Sequence, residues 1–108
     1  MRSAGHRWYV LLAAAMLILA GASPAAADCA SELTASQKNL ERTRAAVAAN
    51  AGSEAQKCAA QRRYYTALVK VREVFSRCDT GAEKGKNAAQ LTATIDDFKA
   101  KMPRGCRP

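Results

Sequence analysis

The sequence predicts an all-α protein: a small up-down-up three-helix bundle stapled by two disulfides and preceded by a cleaved signal peptide. Three observations carry this. Apolar residues recur at helical steps of three and four, and nothing alternates with a period of two over a useful length. Turn and cap sequences divide the chain into three segments. Four cysteines, an even number in a short exported chain, are spaced so that only one pairing joins neighbours. At 108 residues and 11.5 kDa there is room for one small domain, which excludes multidomain enzymes.

Residues 1–27 have the three parts of a secretory signal: Arg2 and Arg7, an apolar stretch from Val10 to about Ala22, and the small-residue tail Ala25-Ala26-Ala27. Cleavage is expected before Asp28, with Ala20-Gly21-Ala22 as second choice. Thirteen apolar residues fall short of the roughly 20 that a membrane-spanning helix needs, so no anchor remains in the mature chain. Asp28 stands where a lipid anchor on Cys29 would require a small uncharged residue, and there is no twin-arginine pair. The alanine-rich signal looks bacterial, so the expected location is the periplasm, or the medium if the protein is secreted. The rest, residues 28–108, is read as one helical domain.

The first helix is expected at about 31–50, with Leu33, Leu40 and Val47 seven apart and Ser36 and Thr43 between them. Small residues there let helices approach closely but bury little. Asn50-Ala51-Gly52-Ser53 follows, with Gly52 read as a helix stop and Ser53 as the cap of the next helix, Gln56 bonding back. The second helix, about 54–78, carries Tyr64, Leu68, Val71, Phe75 and Cys78 on one stripe and Cys58, Tyr65 and Val69 beside it, wide enough for two partners. Asp79-Thr80-Gly81 and Gly85-Lys86-Asn87 interrupt the pattern, and Asn87-x-x-Gln90 is read as the next cap. The third helix, about 87–102, has Ala88, Leu91, Ile95, Phe98 and Met102 on one face and closes at Pro103. Beyond the signal only fourteen large apolar side chains remain, so the core is thin.

Cys58 and Cys78 lie near opposite ends of one helix, about 30 Å apart at 1.5 Å per residue, whereas a disulfide tolerates about 7 Å between Cα atoms. Folding at the two turns brings Cys29 level with Cys78 and Cys106 level with Cys58. The pairing expected is therefore Cys29–Cys78 and Cys58–Cys106. A zinc or thioredoxin-like site needs a Cys-x-x-Cys pair, which is absent, and no metal or other cofactor is expected.

Little is left for catalysis. His6, the only histidine, and Trp8 leave with the signal, and the thiols are expected to be oxidised. Asp96 and Asp97 are neighbours on a helix, about 100° apart, and read as solvated acids. Tyr64 and Tyr65 read as core and boundary residues, and only secondarily as a stacking platform. No glycine loop cradles a phosphate. The protein is read as not an enzyme.

Leu33-Thr34-Ala35-Ser36-Gln37 resembles the Leu-Thr-x-x-Gln motif of a family of periplasmic stress chaperones, which are basic and helical and bind unfolded clients. The match covers five residues, and Thr34-x-x-Gln37 also reads as an ordinary capping box with Thr34 as N-cap, the reading preferred here. The chain departs from that family in its four cysteines, its shorter helices and the lack of a second copy, because Leu91-Thr92-Ala93-Thr94 continues with Ile95. No family is assigned.

Removing Arg2 and Arg7 from the 17 basic residues leaves 15 against 9 acidic, a net charge of +6. Arg63, Lys70 and Arg77 recur every seven residues on one stripe, with Arg62 and Arg72 nearby and Lys38, Arg42 and Arg44 on the first helix. Glu73 and Glu41 offset part of this. The plainer reading is a solvated, solubilising face. The sharper one is an anion-binding face formed by Arg62, Arg63, Lys70, Arg72 and Arg77, drawn to anionic lipid, lipopolysaccharide or acidic proteins more than to nucleic acid. The function expected is that of a small, exported, non-catalytic binding protein of the bacterial envelope, with anionic surfaces or acidic or unfolded proteins as partners. The alternatives are a structural envelope protein with no specific ligand and, on the one motif, a chaperone-like protein.

Overall fold

The computed structural model describes the backbone of residues 24–108 and the side chains from Asp28 onward. The expected signal segment thus lies outside the described residues except for Pro24–Ala27. Three α-helices, α1 (Pro24–Ala49), α2 (Glu54–Cys78) and α3 (Lys86–Lys101), alternate with short connections, and two 3₁₀ turns occupy Gly81–Glu83 and Arg104–Cys106. Among the described residues there is no strand.

α1 begins seven residues before the expected position. Alanine is the best helix former, and Pro24 suits a first-turn position because its missing N–H and fixed φ cost nothing there. The capping box at Thr34 is overturned: Thr34 sits inside the helix, where its hydroxyl donates to the Ala30 carbonyl at 3.0 Å. Ser36 and Thr43 also bond back to their own helix, to Leu33 and to Asn39 and Leu40. Tying its hydroxyl to the backbone lets Ser36 be buried without an unmet polar group.

The cap of α2 is complete. The Ser53 hydroxyl accepts from the Gln56 amide at 3.2 Å, and the Gln56 side chain accepts from the Ser53 amide at 2.8 Å. Gly52 has a different role from the helix stop expected of it. Its φ is not positive, and α1 has already ended at Ala49; a Cβ on Gly52 would collide with the Gln56 carboxamide, so its bare backbone is the space through which Gln56 reaches back. The expected cap at Asn87 is also corrected. Gly85 precedes α3 in the left-handed region, φ +87°, which glycine adopts without strain. Asn87 lies one residue inside and donates to Asp79 Oδ2 at 3.1 Å, fastening the start of α3 to the end of α2.

The disulfides fix the helix directions. Cys29 is bonded to Cys78 and Cys58 to Cys106, with Cα atoms 5.6 and 5.3 Å apart. Each joins the beginning of one helical element to the end of the next, so neighbouring helices run antiparallel. α2 is central and packs against both others, while α1 and α3 barely meet. It buries Ala60, Ala67 and Val74, seven residues apart and so on one stripe, with Ala67 at the seam with α1. The Cys29–Cys78 register sets Leu40 level with Ala67 and Val47 level with Ala60, large against small. The rest of the core is Leu68, Val71, Ile95 and Met102, extended by Tyr64 and Phe98, whose rings meet edge to face with centroids 4.9 Å apart.

Candidate anion-binding face

The five basic residues expected to form one face separate into four kinds of position. Arg62 clamps the end of the chain: its Nε donates to the Cys106 carbonyl at 2.9 Å and its Nη2 to the Gly105 carbonyl at 3.1 Å. Arg72 is half-buried against α3, donating to Thr92 Oγ1 at 3.4 Å. Arg77 is neutralised between Glu32 of α1, 2.6 Å away, and Glu73, 3.9 Å away. Glu73 also lies 3.6 Å from Lys70. Arg63 is exposed and has no carboxylate partner among the described residues.

Sequence spacing placed Arg63, Lys70 and Arg77 on one stripe and anticipated the pairing with Glu73. It did not anticipate Glu32, because that contact crosses helices. The carbonyl contacts of Arg62 were equally hidden, since they depend on where the Cys58–Cys106 bond holds the chain end.

Grooves open on both sides of α2. One follows the seam with α1, has a volume of about 490 Å³, and is lined by Asn39, Thr43, Arg62, Arg63, Thr66, Ala67 and Lys70. Three cations and three uncharged polar side chains surround it, and no carboxylate does. Small Ala67, nearly inaccessible to solvent, leaves the depression between the helices. Asn39 and Thr66 were not singled out by charge, but Asn39 lies one helical turn before Thr43 and Thr66 one turn before Lys70, so helical spacing contained the signal. The other groove, about 520 Å³, opens where α1 and α3 fail to meet, with Leu40, Val71, Phe75 and Leu91 between Gln37, Glu41, Asn87, Gln90 and Thr94.

Four of the remaining candidates have structural partners. Tyr64 packs on Phe98, and Asp97 pairs with Lys101 at 2.9 Å. On α1, Arg42 donates to Asn39 Oδ1 at 2.8 Å and Arg44 stands 3.9 Å from Glu41. Among the described residues no three His, Cys, Asp or Glu side chains are grouped as metal ligands, and no helix is long and apolar enough to cross a membrane.

The chain matches no family model, no curated protein and no solved structure.

Proposed function

We propose that the protein is a small, exported, non-catalytic binding protein of the bacterial envelope that attracts anionic partners through its basic surface. One observation carries the reading. Of the 15 basic side chains in residues 28–108, only five, Arg44, Lys57, Lys70, Arg77 and Lys101, come within 4.0 Å of a carboxylate. Ten positive charges therefore stand without a local counter-ion, and their field extends about 8–10 Å at physiological salt. Two disulfides in so short a chain support an oxidising compartment, in keeping with the signal-like residues 1–27.

The test compares co-sedimentation of the oxidised protein with neutral phosphatidylcholine vesicles, with vesicles containing phosphatidylglycerol and with beads bearing an acidic protein, at low and high salt. Binding to either anionic probe that weakens as salt rises is expected. Binding indifferent to salt, or no binding to either probe, would overturn the proposal in favour of a structural envelope protein whose charge serves solubility.

A further inference from the structure

We propose that the groove on the α1–α2 seam holds the phosphate of an anionic lipid headgroup, with Arg63 and Lys70 as its cationic contacts and Asn39 and Thr66 as its hydrogen-bond donors. This rests on the anion-binding reading and deepens it, moving the site from a stripe along α2 to one end of that stripe.

Arg62, Arg63 and Lys70 line the groove with no acidic residue among them. The side chain of Arg62 is anchored through Nε and Nη2, which leaves Nη1 as a held donor at the edge. Asn39 is oriented: Arg42 donates to its Oδ1 at 2.8 Å, leaving Nδ2 as a donor. Thr66 is exposed, and its hydroxyl has no protein partner among the described residues. Cations and neutral donors with no carboxylate in the lining suit a phosphate, whose oxygens only accept. Lys70 also stands 3.6 Å from Glu73 outside the groove, an exposed pair that solvent screens and that leaves the ammonium free to turn to the groove. Arg77 lies outside the groove and is occupied by Glu32.

Magnitude favours a lipid surface over a free anion. An exposed cation beside an anionic membrane contributes about a fivefold factor in affinity. Two or three such factors on one soluble phosphate amount to very weak binding. A membrane presents many phosphates at once, and cations elsewhere on the surface that lack a carboxylate partner add to the attraction.

The test removes the same charge from two places. One variant carries Arg63→Gln with Lys70→Gln; the control carries Arg77→Gln with Lys99→Gln, Lys99 being exposed on α3. Binding to vesicles of phosphatidylcholine with phosphatidylglycerol is measured at low salt, with circular dichroism confirming that both variants fold. The groove variant is expected to lose about 25-fold and the control at most about fivefold, the factor for Lys99 alone, since Arg77 is already held by Glu32. Thr66→Val, which removes only the hydroxyl, should weaken binding by a few-fold.

Equal losses in the two double variants would overturn the groove while leaving the wider function standing. A native protein that bound the acidic beads but not the vesicles would overturn the lipid assignment. Failure to bind either probe would overturn both. In a second arm, short-chain phosphatidylglycerol should shift the NMR signals of the Asn39 side-chain amide and the Thr66 backbone amide. Inorganic phosphate producing the same shifts at the same concentration would overturn the headgroup as source.

Discussion

Arg77 of α2 and Glu32 of α1 stand 2.6 Å apart across the seam between their helices, each about half exposed. A residue that helical spacing assigns to a free basic stripe thereby becomes part of the joint between two helices. Replacing Glu32 with Gln should cost less than about 1 kcal/mol, since solvent screens an exposed pair. It should also strengthen binding to anionic vesicles by returning a cation to the surface. Urea titration and vesicle sedimentation check the two effects, and a large loss of stability would show that the pair is worth more than its exposure implies.

Each disulfide closes a long loop, with sequence separations of 49 and 48. By the chain-entropy argument each contributes ~4 kcal/mol, chiefly by restricting the unfolded chain. The double variant Cys29→Ser with Cys78→Ser should therefore unfold at much lower urea concentration than the native protein. Non-reducing peptide mapping of the native protein should recover Cys29 with Cys78 and Cys58 with Cys106, and a Cys29–Cys58 peptide would refute the antiparallel arrangement of α1 and α2.

Gly52→Ala should destabilise the protein by about 1 kcal/mol, because the added methyl displaces the Gln56 side chain from the Ser53 amide. In a Gln56→Ala background the same substitution should cost little, since nothing is left to displace. Thermal unfolding of the four proteins in this cycle measures the coupling. Full additivity would mean that Gly52 matters for some other reason.

Gln61 Oε1 is buried without a hydrogen-bond partner among the described residues. A buried unpaired carbonyl costs roughly 1–3 kcal/mol, so Gln61→Met, similar in length and apolar, should raise stability by about 1 kcal/mol. A drop in the unfolding midpoint would indicate that the amide makes a contact worth more than that.

If residues 1–27 direct export as proposed, the intact mass of the exported chain should give Asp28 as the first residue. Cleavage there would shorten α1 by Pro24–Ala27 and leave Asp28 in its first turn, where a carboxylate complements the helix dipole. Recovery of the uncleaved chain from the membrane fraction would show that residues 1–27 act as an anchor.

What could be read from the sequence was whatever depends on local chemistry or on a regular repeat. Ser53 and Gln56 announce their cap because both partners lie within one turn. Leu91, Ile95, Phe98 and Met102 announce the inner face of α3 because large apolar residues stand out at helical spacing. The disulfide pairing followed from the length of α2 together with the positions of the two turns. The α1-facing side of α2 was overlooked because Ala60 and Ala67 do not register as core residues by size, although they are buried opposite larger side chains. Caps were misassigned where a polar residue that can cap, Thr34 or Asn87, instead bonds within its own helix or across to Asp79. The basic face was divided by Glu32 and by the Gly105 and Cys106 carbonyls, partners 43 to 45 residues distant in sequence, which no repeat reveals.

The two disulfides interlock in sequence, the second beginning at Cys58 before the first has closed at Cys78. Any single cut in the backbone between Cys29 and Cys106 consequently leaves both pieces covalently joined. A protease that nicks the connection at 50–53 or the one at 79–85 would add the mass of one water and release no fragment until the disulfides were reduced. In a compartment where proteases are abundant, the same pairing that stiffens the bundle also makes its exposed connections expendable.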